Sequence, residues 1–174
     1  MTMVELMVSS ALGAVIMTAV ISMFLFLGRS SANIINYAEM ESQARSGLEF
    51  FAQDTRQSSD IYWNNANSIT LTINGGSVIY TFSSANGQFS RTASGTTTTL
   101  LDGITTFTFS GYKITGTNVD LSDLSTAAKR ESASEVTKQV QIYIEASRTS
   151  NTAATATNTV LSARYILRNK RVTA

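Results

Sequence analysis

The sequence predicts an α+β protein in which a long N-terminal helix, apolar in its first half, packs on an antiparallel β-sheet. Two observations lead to this prediction. Residues 6–27 form an uncharged apolar run, and a helical apolar period continues from it to about residue 58. From residue 69 onward, apolar and polar residues alternate with period two in short segments separated by glycine-containing turns, as in antiparallel strands.

The apolar run is long enough to cross a membrane. At 1.5 Å per residue it spans roughly 33 Å, which matches the hydrocarbon core of a bilayer. A secretory signal would place basic residues before a shorter apolar core, whereas the first positive charge here is Arg29, after the run. We therefore predict a helical segment over residues 1–28 that enters a membrane or a core of helices, and a globular domain over residues 29–174.

The helical pattern continues through residues 29–58. One face of this segment repeats at spacings of three and four residues, with the members Tyr37, Met40, Ala44, Leu48, Phe51 and Thr55. We predict that the globular domain sits on this face. A helix over residues 1–58 would be about 80–90 Å long, which is too long for one domain of this size to cover. Its first half therefore needs lipid or other subunits around it.

The remaining residues, 69–174, are predicted to form the sheet and its loops. Alternating patterns predict strands over residues 69–73, 78–82, 88–93, 96–101, 104–109, 136–146 and 161–167. Three stretches rich in small polar residues are predicted as loops, residues 92–99, 111–135 and 149–159, with a short helix near residues 121–129 in the second. Residues 63–67 are interpreted as a break between helix and sheet.

The composition disfavours catalysis. The chain has no His and no Cys, so the commonest general base, the commonest metal ligand and a thiol nucleophile are missing. No phosphate-binding glycine motif is present. We predict a protein that is not an enzyme, with no catalytic residue, no cofactor and no metal site, because Asp120 and Asp123 alone are weak evidence for Ca²⁺. The formal net charge of +1 disfavours DNA binding without excluding a contact through the terminal basic residues Arg164, Arg168, Lys170 and Arg171.

The start of the chain, Thr2-Met3-Val4-Glu5-Leu6-Met7, resembles the N-terminus of mature type IV pilins and pseudopilins. That family begins with an apolar residue, often Phe, followed by Thr-Leu-[Val/Ile]-Glu-Leu. Met1 and Met3 stand here for the usual Phe and Leu. More loosely, residues 136–148 and 160–169 are similar to J-type minor pilins. The resemblance implies the pilin fold. It also implies that the sequence is a mature form, from which prepilin peptidase has removed a leader and whose N-terminus it has methylated.

The resemblance further implies a helical homopolymer of this chain, with the apolar helices packed in its centre. Other pilins are implied as further partners. Glu5 is expected to pair with the Met1 amine of a neighbouring subunit, because either charge buried alone would cost several kcal/mol. Gly13 and Ser22 are candidate points of helix unwinding or, alternatively, of close helix packing. The implied partners are the prepilin peptidase and an inner-membrane assembly machinery, and the implied location is the inner membrane and then an extracellular or periplasmic filament.

Three functions remain open at the level of sequence. The chain is either a shaft subunit of a type IV pilus or related filament, or a minor pilin or pseudopilin that primes or caps a pilus or a type II secretion filament. The third reading is a membrane-anchored binding protein that never polymerises. Motility, adhesion, DNA uptake, secretion and electron transfer are all served by related filaments, and the sequence does not choose among them.

Overall fold

The computed structural model describes residues 2–148 and 157–171, and it has the predicted α+β arrangement. The long helix α1 (Met3–Gln57) comes first. It is followed by the strands β1 (Asp60–Asn65), β2 (Ser68–Ile73), β3 (Gly76–Ser83), β4 (Gln88–Ala93), β5 (Thr96–Leu101) and β6 (Ile104–Tyr112). A second helix, α2 (Ala127–Val136), precedes the strands β7 (Gln139–Arg148) and β8 (Thr157–Ile166). The arrangement is consistent with a pilin-like fold.

The strands form two antiparallel sheets. Strands β1 to β5 form a meander in sequence order, and β6, β7 and β8 form a second sheet. Tight turns connect β2 to β3 and β4 to β5. Each turn has two residues in the left-handed region, Asn74 (φ 51°) with Gly75 (φ 79°) and Ser94 (φ 51°) with Gly95 (φ 79°). Two such residues in a row suit the twist of a hairpin.

The core lies between the second half of α1 and the inner faces of the two sheets. Met40, Ala44 and Phe51 of α1 are buried in this core, and the Phe51 ring lies 4.9 Å from the Tyr80 ring between centroids. The predicted helix face is therefore confirmed from Met40 onward. Tyr37, by contrast, is 47% exposed, and the first buried residue of α1 is Met40.

Several element boundaries differ from those predicted. Residues 60–65 form strand β1 rather than a break, because Trp63 is fully buried and its backbone N–H donates to Ser134 Oγ at 2.9 Å. Helix α2 begins later than predicted, after the N-cap Thr126, and includes Val136. Residues 92–99 are mostly strand rather than loop. Of the predicted loop over residues 149–159, residues 157–159 belong to β8 and the others lie outside the described residues.

Candidate functional site

The first half of α1 is uncovered by the rest of the chain. Every side chain over residues 2–31 is exposed, and the large apolar side chains Phe24 and Phe26 are each 71% exposed. By length and composition α1 is able to cross a membrane, with a mean hydropathy of 2.3 in its most apolar window and none of that window buried. Apolar surface of this extent on a folded protein marks a region that lipid or another protein covers.

Thr2 and Glu5 form a capping box at the start of α1. The backbone N–H of Thr2 donates to Glu5 Oε2 at 2.8 Å, and the backbone N–H of Glu5 donates to Thr2 Oγ1 at 3.4 Å. These bonds satisfy donors that the first helical turn leaves open, and the helix dipole favours a negative charge at this end. Glu5 is the one charged residue over positions 2–28, so it is the single charge on the uncovered apolar segment.

The hydroxyl groups of the uncovered segment find partners within the helix. Ser9, Ser10 and Thr18 donate to backbone carbonyls three or four residues earlier, at 2.7, 2.9 and 2.8 Å. A hydroxyl bonded in this way needs no external acceptor, so it enters an apolar environment at little cost. These polar residues are therefore compatible with burial in lipid or among helices.

The structure places the remaining predicted assembly residues only in part. Met1 lies outside the described residues, so its pairing with Glu5 stays a prediction. Helix α1 runs unbroken through Gly13 and Ser22. No neighbouring atom lies within 4 Å of the position that a Cβ on Gly13 would take. Unwinding or close packing at these two residues concerns the assembled state and also stays a prediction.

A buried polar network fixes the covered half of α1 to the first sheet. Asp54 is 7% exposed and accepts hydrogen bonds at Oδ2 from the Tyr80 hydroxyl at 2.6 Å and from Arg91 Nε at 2.7 Å. Burial, together with the bond to Asp54, raises the pKa of Tyr80 far above its ordinary value. The hydrogen bond to Asp54 likewise raises the pKa of Arg91. The two hydrogen bonds link α1 to β3 and β4 of the first sheet.

The sequence contains one signal for this network, the position of Asp54, but it does not show the partners. Asp54 lies three residues after Phe51 and directly before Thr55, so it falls on the face that the helical period predicts to be buried. A carboxylate on such a face needs partners, because an isolated buried charge is costly. The partners Tyr80 and Arg91 are contributed by β3 and β4 and are not adjacent to Asp54 in the sequence.

A second buried charge, Lys170, joins the segment after β8 to β1 and α2, and its neighbour Asn169 joins the same segment to α1. The Lys170 side chain is 5% exposed, and its Nζ lies 2.7 Å from Asp60 Oδ1 and donates to the backbone carbonyl of Ser134 at the end of α2. The Asn169 side-chain amide donates to the carbonyl of Gln57, at the end of α1, at 3.2 Å. The residues after β8 therefore connect the ends of α1 and α2 with the start of β1.

The terminal basic cluster that the sequence suggests is divided in the structure. Lys170 is buried and paired with Asp60, so it is not available as part of an exposed basic cluster. The Arg164 guanidinium lies 3.5 Å from the centroid of the Tyr112 ring and donates to Gln141 Oε1 at 2.9 Å. Arg168 and Arg171 are exposed. The four residues thus do not form one continuous basic surface.

The carboxylates of the segment before α2 serve local turns. Asp120 Oδ1 accepts from the backbone N–H of Ser122 at 2.9 Å, and Asp123 accepts from Ser125 and from Lys129 Nζ. The hydrogen bond from Lys129 lowers the pKa of Asp123. Within residues 2–148 and 157–171, no group of three or more Asp or Glu side chains lies close enough together to hold a metal ion.

No model of a known protein family matches the chain, and no curated protein matches it. The features that bear on function are the uncovered apolar half of α1 and the capping box of Thr2 and Glu5 at its start.

Proposed function

We propose that this chain is a structural subunit of a type IV pilus or a related filament and that it polymerises through the apolar half of α1. The observation that supports this proposal is the contrast within α1. Residues 2–31 are exposed throughout, whereas the domain folds on the same helix from Met40 onward. Each Å² of apolar surface removed from water contributes roughly 25 cal/mol, so the uncovered segment strongly favours a covered state.

Lipid and sister helices would both cover this segment, and the position of Glu5 favours sister helices as its final environment. A carboxylate accepts hydrogen bonds at two oxygens, so the bond from Thr2 leaves Glu5 able to receive a neighbour's terminal amine. In a core of packed helices the pairing would neutralise two charges that are costly when buried singly. In a bilayer an acid at the end of the span contributes no such contact.

The proposed subunit is stored in the inner membrane with residues 1–28 in the bilayer. It is processed by a prepilin peptidase and passed by an inner-membrane assembly machinery into an extracellular filament or a periplasmic pseudopilus. The looser likeness of residues 136–148 and 160–169 to J-type minor pilins supports a second candidate function, that of a minor subunit that primes or caps the filament. Its share of the protein in purified filaments distinguishes the two, since a minor subunit occurs only in trace amounts.

Replacement of Glu5 tests the proposal. Glu5→Gln keeps a side-chain carbonyl that can accept from Thr2, so it preserves the helix cap while removing the charge. We expect Glu5→Gln and Glu5→Ala to reduce filament yield at least tenfold, as counted by electron microscopy, with unchanged insertion into membranes. Glu49→Gln is the matched control, because it removes an exposed charge from the same helix. Filaments of the Glu5 variants at the wild-type level would contradict the proposal and would favour a membrane anchor that does not polymerise.

A further inference from the structure

Two exposed isoleucines lie on α1 beyond the apolar run. Ile34 is 66% exposed and Ile35 is 62% exposed. At 100° per residue Ile34 lies about 120° around the helix from Met40 in one direction and Ile35 about 140° in the other, and Met40 is the first buried residue of α1. The folded chain thus leaves most of both side chains uncovered, although neighbouring residues such as Asn33 and Asn36 are half-buried. Adjacent exposed isoleucines on a helix form a patch, which isolated surface apolar residues do not.

Lipid does not reach this patch when the apolar run spans a bilayer. Residues 6–27 already extend roughly 33 Å, which fills a hydrocarbon core of about 30 Å. Ile34 and Ile35 lie about 10–12 Å further along the helix axis, whereas the headgroup layer adds only about 5–7 Å on each side. The charged Arg29 lies between the run and the patch. In the membrane-stored subunit the two isoleucines are therefore in water.

We propose that Ile34 and Ile35 pack against a second copy of this chain, so that the helix contact between subunits continues about two turns beyond the apolar run. This inference rests on the proposed filament function. It also assigns a driving force for polymerisation. Residues 6–27 are covered by lipid before assembly and by protein afterwards, so their net gain in burial is small. Ile34 and Ile35 lose contact with water only when subunits join, and their full burial favours the polymer.

The lack of cysteine in the chain allows a direct test, because Ile35→Cys introduces a unique thiol. The reaction rate of this thiol with a charged, water-soluble maleimide is measured in detergent, in phospholipid vesicles and in purified polymers. Ile114→Cys is the matched control, since Ile114 is 51% exposed and also lies after the span, on the same side of the bilayer. We divide the rate of Ile35→Cys by the rate of Ile114→Cys. We expect this ratio to be similar in detergent and in vesicles, and at least tenfold lower in polymers.

A second variant tests the driving force. Ile34→Gln combined with Ile35→Gln should raise the protein concentration needed for polymerisation at least tenfold while leaving binding to vesicles within threefold of wild type. The combination Ile114→Gln with Ile166→Gln removes two isoleucines of similar exposure, 51% and 53%, and should change that concentration by less than threefold.

The outcomes separate this inference from the proposed function. If wild-type chain forms no polymer under any condition tested, the proposed function fails and the inference fails with it. If wild type polymerises but the Ile35→Cys thiol stays reactive in polymers, only the inference is overturned. Protection of that thiol already in vesicles would also overturn it, because lipid would then be the partner of the patch.

Discussion

Replacing Asp54 by alanine should destabilise the globular domain by about 3 kcal/mol. Asp54 accepts hydrogen bonds from Tyr80 at 2.6 Å and from Arg91 at 2.7 Å. The Tyr80 side chain is fully buried, so its hydroxyl would lose its acceptor with no water to replace it, at a cost of about 2 kcal/mol. The Arg91 side chain is 27% exposed, so water would partly solvate it, and its loss contributes only about 1 kcal/mol.

The assay is urea unfolding of the full chain in a non-ionic detergent. Trp63 is the sole tryptophan and is fully buried in the globular domain, so its fluorescence reports on that domain and not on the apolar half of α1. Asp54→Asn keeps an acceptor oxygen and should cost about 1–2 kcal/mol, and Tyr80→Phe, which leaves the Arg91 bond, should cost about 1 kcal/mol. A loss below about 1 kcal/mol for Asp54→Ala would refute the assignment of this network as the fixing point between helix and sheet.

Two further predictions concern the domain. Gly87→Ala should cost about 2 kcal/mol in the same assay, because Gly87 has φ 60° and an added Cβ would lie 2.9 Å from the Ile104 carbonyl oxygen. Gly95→Ala, at φ 79° with open space around it, should cost about 1 kcal/mol, and equal losses would exclude the contact with Ile104 as the cause. Because burial and Asp54 raise the pKa of Tyr80, the folded domain keeps a proton that the unfolded chain releases above about pH 10. The free energy of unfolding should therefore be unaffected by Tyr80 below pH 10 and decrease above it, by up to about 1.4 kcal/mol per pH unit, and Tyr80→Phe should reduce that slope.

Periodicity predicted most elements because it reflects local geometry. The helical period from Met40 to Thr55 identifies the face that the domain covers, and the period-two segments match β2 to β6 closely. Strand β1 was missed because Trp63 is followed by Asn64 and Asn65, which are typical of turns. Its strand conformation depends on pairing with β2 and on the contact with α2, and neither is visible in a local pattern.

The uncovered surface of α1 could likewise be predicted only in part. The length of the apolar run indicates a segment that cannot be covered by its own domain, and the position of Glu5 at its start identifies the single charge there. The sequence does not show that the exposed surface continues to Ile34 and Ile35. Their exposure is a property of the folded chain, in which the first buried residue of α1 is Met40.

The sequence by itself determined the order of the elements, the long helix and its uncovered apolar half, because these follow from spacing along one chain. Only the tertiary structure decided the roles of the charged residues. The sequence does not show the partners of Asp54 and Lys170. Each is buried with partners that are distant along the chain, Tyr80 and Arg91 for the first and Asp60 for the second. The physical reason is that a charge is stable in a protein interior only where the fold brings an oppositely charged or hydrogen-bonding group to it.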